Sequence, residues 1–172
     1  MAEFVRIGTA PHEWAELAAD WKAQTEELGE VFDEEYQLQP DLFLPLIGRN
    51  DRKAGLYSLR DHGHYEAICQ LNTAGLPSYE KPVLRVRHIT FAPRIDLSDD
   101  ESVEFYSNAL VETFSAVVKL SLEESPMKAG HIHFHLPSPS DRQFFTFVGQ
   151  RFKDRELFAD VASKGAWLYI TL

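Results

Sequence analysis

Two hydrophobic periods alternate along the chain. Glu3 to Ile7 suits a short opening strand, after which Trp14, Leu17, Ala18, Trp21 and Leu28 recur at helical spacing, with Pro11 in the first turn. Gly29 interrupts this helix, and Val31, Phe32 and Tyr36 form a further turn or a second helix before Pro40 stops the pattern. Asp41 to Gly48 reads as an apolar loop around Pro45, placed either to plug the core or to form the lip of a pocket. From Ala54 the period becomes alternating, which predicts strands over Ala54 to Asp61 and His64 to Asn72 joined at His62-Gly63 as a hairpin. In the second of these, Tyr65, Ala67, Cys69 and Leu71 share one face, and Glu66, Ile68, Gln70 and Asn72 share a less apolar one.

The strand Val83 to Phe91 is closed by Pro93 and is long enough to be central. The longest helix is expected from Ser98, where Ser98-Asp99-Asp100-Glu101 is a capping box with an acidic first turn. Val103, Tyr106, Leu110, Phe114, Val117 and Val118 mark its buried stripe. A strand from Gly130 to Leu136 follows, then a short helix starting at Ser138-Pro139-Ser140-Asp141, with Phe144, Phe145, Phe147 and Val148 on its apolar side. Phe158 to Ala162 and Ala166 to Leu172, around Ser163-Lys164-Gly165, read as a closing hairpin. Its last strand carries Trp167, Leu168, Tyr169 and Ile170 and is expected to be a sticky edge, hence a homodimer contact.

Charge narrows the partners. With 17 basic against 27 acidic residues the net charge is -10, so the long-range field repels phosphate backbones and anionic lipid; neither nucleic acid nor membrane is an expected partner. Arg85, Arg87 and Arg94 nonetheless lie close in sequence and form a potential local basic patch. Cys69 is the single cysteine, which rules out an intrachain disulfide and a cysteine-built metal cluster. No basic-then-apolar leader opens the chain, no apolar run approaches the roughly 20 residues that cross a bilayer, and a cytoplasmic protein is expected. A length of 172 residues fits one domain, 1–172.

Strand, one or two helices, three strands, long helix, strand, short helix and closing hairpin: this order resembles the GNAT superfamily of N-acyltransferases. Arg87-His88-Ile89-Thr90-Phe91-Ala92-Pro93 is similar to the family's fourth strand and its following proline, and Phe147-Val148-Gly149-Gln150-Arg151-Phe152 to the end of its fourth helix. The resemblance implies an α/β (α+β) fold: a mixed, mostly antiparallel central sheet flanked by helices, acyl-CoA N-acyltransferase-like. It also implies acetyl-CoA or another acyl-CoA as donor and a small-molecule or protein amine as acceptor.

Two departures stand beside the match. Members that use acetyl-CoA follow the fourth strand with a Gly-rich loop whose backbone N–H groups hold the pyrophosphate at a helix N-terminus. Here Arg94 to Glu101 has no glycine and places Asp96, Asp99, Asp100 and Glu101 there, with Arg94 the nearby cation to offset them. Many members protonate the leaving thiolate from a tyrosine on the fourth helix; Phe145 or Phe147 occupies that position.

Within the resemblance, His88 on the fourth strand and Glu66 on the third are the candidate general bases, set against packing or hydrogen bonding for His88 and an ordinary exposed carboxylate for Glu66. The backbone of Thr90 and Phe91 is the candidate partner for the amide arm of pantetheine, and Arg94 the candidate cation for the cofactor. The rival reading is a GNAT-like module that binds a protein or ligand without catalysis. A third reading concerns His131, His133 and His135, which alternate along one strand and so share a face: a metal site with His88 as a further ligand, against solvated or hydrogen-bonded imidazoles. Cys69, with apolar strand neighbours, reads as a small buried residue rather than a nucleophile.

Overall fold

The computed structural model describes residues 2–32, 38, 40–97, 102–154 and 158–172. Within it the strands are β1 (Glu3–Ile7), β2 (Ala54–Asp61), β3 (His64–Ala74), β4 (Val83–Phe91), β5 (His131–His135), β6 (Asp160–Lys164) and β7 (Trp167–Thr171). The helices are α1 (Pro11–Glu27), α2 (Pro40–Phe43), α3 (Pro93–Asp96), α4 (Ser102–Leu122) and α5 (Pro139–Asp154). The strands form one sheet in the order β1-β2-β3-β4-β5-β7-β6, with β4 in the middle as its length predicts. β1–β2, β5–β7 and β6–β7 pair antiparallel, and β4–β5 pair parallel across the α4 crossover.

The first compact unit comprises Met1–Asp51, Gly55–Gln70 and Ile89–Val117. Helix α1 is anchored to β3 by two neighbouring residues: the Trp21 indole N–H donates to the Tyr65 carbonyl at 2.7 Å, and Asp20 accepts the Tyr65 backbone N–H at 2.8 Å. Asp20 also meets His64 Nδ1 at 2.8 Å. Gly29, at φ 80°, ends the helix in the left-handed region that costs a glycine little. The segment expected as an apolar loop folds instead into α2 and a 3-10 turn, Leu44–Leu46, because Phe43 inserts fully into the core against Trp14. In β3, residues Tyr65 to Cys69 are buried on both faces, so the two-sided contrast predicted there is lost.

The second unit comprises Arg52–Ala54, Leu71–His88 and Val118–Leu172. One face of its strands, with Ile132, Phe134, Val161, Leu168 and Ile170, is buried. Phe145 of α5 stacks on Phe134 there, and Gly149 lets the helix close onto Val161, which an added Cβ would meet at 3.3 Å. The closing hairpin turns at Gly165-Ala166, with β6 running through Lys164, one turn position later than the sequence suggests. The edge expectation is overturned: β7 is paired on both sides, and the edge strand is β6, where Asp160, Ser163 and Lys164 are exposed. The capping box at 98–101 and the turn around Tyr36 lie outside the described residues. Among the described residues no helix is long and apolar enough to cross a membrane.

Candidate functional site

Strand β4 positions most of the candidates. Its residues Val83–Val86 pair with His131–Phe134, and the ladder ends there. Two residues on, His88 adopts φ 52°, a left-handed conformation costing about 1–2 kcal/mol in an ordinary residue and characteristic of a bulge. Burial records the break. Leu84 and Val86 are buried on either side of half-buried Arg85, after which Arg87, His88, Ile89 and Thr90 are all half-buried before Phe91 is buried again. Strain of this kind concentrates where a strand must aim a side chain away from the ladder. Burial, then the neighbouring His135, hold the His88 pKa below the ordinary imidazole value. The ring is therefore neutral at pH 7 and able to accept a proton.

Glu66, Thr90, Phe91 and Arg94 belong to the first unit. Glu66 is buried, 6% exposed, and its carboxylate accepts from Arg94 through both Nε, at 3.0 Å, and Nη2. The Glu66 carbonyl also accepts the Ala92 N–H at 2.8 Å, tying the end of β4 to β3. A carboxylate engaged by two guanidinium bonds has little basicity to spare, and a guanidinium so engaged has little charge to spare for a phosphate. Glu66, weighed as a base against an ordinary exposed carboxylate, is instead a buried partner of Arg94. Phe91 packs its ring on Tyr106 at 4.8 Å, and Thr90 stays half-buried at the strand end. The structure brings Glu66 and Arg94 into contact; His88 has its recorded neighbour, His135, in the second unit.

Past β4, Pro93–Asp96 folds into the short helix α3, starting one residue after Ala92, whereas the sequence placed only a stop at Pro93. At the fourth-helix position, Phe145 is a core residue, set between Phe134 and Phe144. It supplies packing and no proton. Cys69 is fully buried, and desolvation pushes its thiol well above the ordinary value, as suits an inert core residue.

The three histidines of β5 do share a face, and the register extends it into rows: Arg85, His133 and Tyr169 in one, His135 and Trp167 in the next, His131 and Thr171 on the other side. Each imidazole ring lies against a neighbouring side chain. His131 Nδ1 lies 3.2 Å from Thr171 Oγ1, His133 packs edge-on to Tyr79 and Tyr169, and His135 lies 4.7 Å from the Trp167 ring. His133 is 6% exposed; burial, then His131 and Arg85, lower its pKa to about 4. Among the described residues no group of three or more histidine, cysteine, aspartate or glutamate side chains is arranged to hold a metal ion. Rings separated by aromatic partners do not converge on one point.

No family model matches the sequence, and no curated protein does. Solved structures do match. An N-acyl amino acid synthase from uncultured soil microbes superposes over 100% of this chain and 88% of its own, with a TM-score of 0.51 at 15% identity. A ribosomal-protein-alanine N-acetyltransferase from Brucella melitensis biovar Abortus 2308 matches with a TM-score of 0.49 at 14% identity, over 86% of this chain and 90% of its own. The GNAT domain of S. lividans PAT matches with a TM-score of 0.49 at 12% identity, over 99% and 89%. The chain adopts the GNAT fold. In GNAT terms the seven-stranded, mostly antiparallel sheet is the one the sequence implied, with His88, Thr90 and Phe91 on its fourth strand. Sequence reasoning missed the positive φ of His88 and the convergence of Arg85 and Arg87 on Trp167. The second had a signal, since both arginines occupy alternate positions of one strand, as the histidines do.

Proposed function

We propose that this GNAT-fold protein is an acyl-CoA-dependent N-acyltransferase, with acetyl-CoA or another acyl-CoA as donor and an amine as acceptor. The observation that carries the reading is His88: a half-buried, neutral imidazole on a left-handed residue of the central strand, two residues beyond the β4–β5 ladder. N-acyl transfer by the soil synthase of the same fold supports it. His88 takes a proton from the acceptor nitrogen as that nitrogen attacks the thioester carbonyl. A C–N bond forms, the C–S bond breaks, and the thiolate leaves to be protonated by water. The backbone of Thr90 and Phe91 pairs with the amide arm of the donor. Of the two candidate bases His88 takes the role, because Glu66 is committed to Arg94, and Arg94 in turn has little charge left for the cofactor. The chain acts in the cytoplasm in this reading, which suits a protein whose lone cysteine is a free, buried thiol.

Release of free CoA thiol from acetyl-CoA in the presence of an amine panel tests the proposal. His88→Asn, chosen because asparagine tolerates positive φ, is expected to lower kcat about 100-fold with little change in stability. The wild-type rate is expected to fall with acid only below the ordinary imidazole pKa, since protonation of His88 is the disabling event. Turnover unaffected by His88→Asn contradicts the assignment. The alternative, a binding module without catalysis, is favoured by Phe145 in place of a proton donor; it predicts no thiol release with any amine.

A further inference from the structure

Arg85 and Arg87 stand two residues apart on β4 and therefore project from the same face, roughly 7 Å apart along the strand. Their guanidinium carbons lie 6.0 and 5.7 Å from the centroid of one ring, Trp167. Among the described residues no hydrogen bond or ion pair reaches either guanidinium, and Arg87 Nε is buried without a partner. This is unusual in a chain with 27 acidic and 17 basic residues, where carboxylates are plentiful. Two like charges held side by side over one indole, with no anion between them, repel one another. A ligand oxyanion relieves that repulsion and completes the fork geometry that guanidinium groups offer.

The surroundings define the anion. His133, neutral and 6% exposed, lies in the Arg85 row with its Nε2 buried and unpartnered. Tyr169 and Trp167 give the face apolar ring surface, both half-buried. The face thus offers two cations, neutral donors and rings. The net charge of -10 penalises a multiply charged phosphate more than a single carboxylate. We propose that Arg85 and Arg87 form a binding site for the carboxylate of a small molecule on the half-buried face shared by β4, β5 and β7.

The site stands without the acyl-transfer reading, but naming its ligand rests on it. His88 follows Arg87 directly on β4, and the Trp167 ring that both arginines overlie sits in the row of His135. A carboxylate held on the arginines therefore brings the rest of its molecule toward His88. The acceptor on this account is an amine that also bears a carboxylate, the amino-acid class, with the arginines as positioning residues.

Titration followed by the indole N–H resonance of Trp167, assigned with Trp167→Phe, tests the site with no acyl-CoA present. The probes are L-phenylalanine and benzoate, with phenethylamine as the amine lacking the carboxylate and inorganic phosphate as the competing anion. Saturable shifts with at least one carboxylate probe are expected, with a Kd of about 1 mM or tighter, and none with phenethylamine. The double variant Arg85→Gln, Arg87→Gln is expected to weaken binding at least tenfold. Should it not fold, Arg85→Lys with Arg87→Lys keeps the charge, loses the fork, and must still weaken binding measurably. No shift at about 10 mM of either carboxylate, equal shifts with phenethylamine, tighter binding of phosphate, or binding indifferent to both variants overturns the site. Because acyl-CoA is absent, a failure here leaves the thiol-release assay to judge acyl transfer separately.

Discussion

The Glu66–Arg94 pair illustrates how a single contact changes the meaning of two residues. By sequence Glu66 is a candidate base and Arg94 a candidate cofactor cation, yet the carboxylate is buried and holds the half-exposed arginine at the strand end. Glu66→Gln is expected to cost about 2 kcal/mol in urea unfolding, discounted from a fully buried pair because Arg94 retains water. The double variant with Arg94→Gln should lose less than the two singles combined, and strict additivity would show that the pair is not coupled. His133 sets a second expectation. Its folded pKa of about 4 lies below its ordinary 6.5, so above pH 6.5 both states are neutral and it has no effect. As pH falls from 6.5 toward 4, the unfolded chain takes up a proton that the folded one refuses, and stability drops by on the order of 2–3 kcal/mol. The difference in unfolding free energy between wild type and His133→Gln should therefore change across that window, and a constant difference would show that His133 is not held neutral.

At the scale of elements, the attachment of α1 to β3 is concentrated at Asp20 and Trp21. Asp20→Ala removes acceptors for His64, the Tyr65 N–H and Gln24 together, with an expected loss of about 1–2 kcal/mol and faster amide exchange at Tyr65. Unchanged exchange at Tyr65 would locate the anchor elsewhere. The bounds of β1, α1, β2 and β4 were legible because a glycine or proline stands within two residues of the C-terminal end of each. What escaped was decided by tertiary partners. Tyr65 to Cys69 are buried on both faces, a condition that alternation alone does not encode, and Phe43 draws an apparent loop into helix by filling the core. The position of β7 escaped for a topological reason: the last strand in sequence inserts between β5 and β6, and no local residue pattern states strand order. At the candidate site, the residue types on β4 were readable. The left-handed turn of His88 and the pairing of Glu66 were not, since both follow from backbone geometry and distant contacts.

For the molecule as a whole, the acyl-transfer proposal requires a chain of net charge -10, with Arg94 committed to Glu66, to accommodate a phosphate-bearing donor. The proposed base, His88, stands at a left-handed residue of the central strand and Thr90 is half-buried two residues on, and neither position depends on a glycine-rich loop. Retention of donor binding despite the altered loop is therefore the strongest commitment of the acyl-transfer account. Calorimetric titration of the untagged protein with acetyl-CoA and with a longer acyl-CoA tests it most directly. A saturable isotherm with a Kd of about 1–100 μM for at least one donor is the predicted result. Absence of heat and of any thermal stabilisation with both donors at about 1 mM would contradict it and leave the GNAT fold here serving a purpose other than acyl transfer.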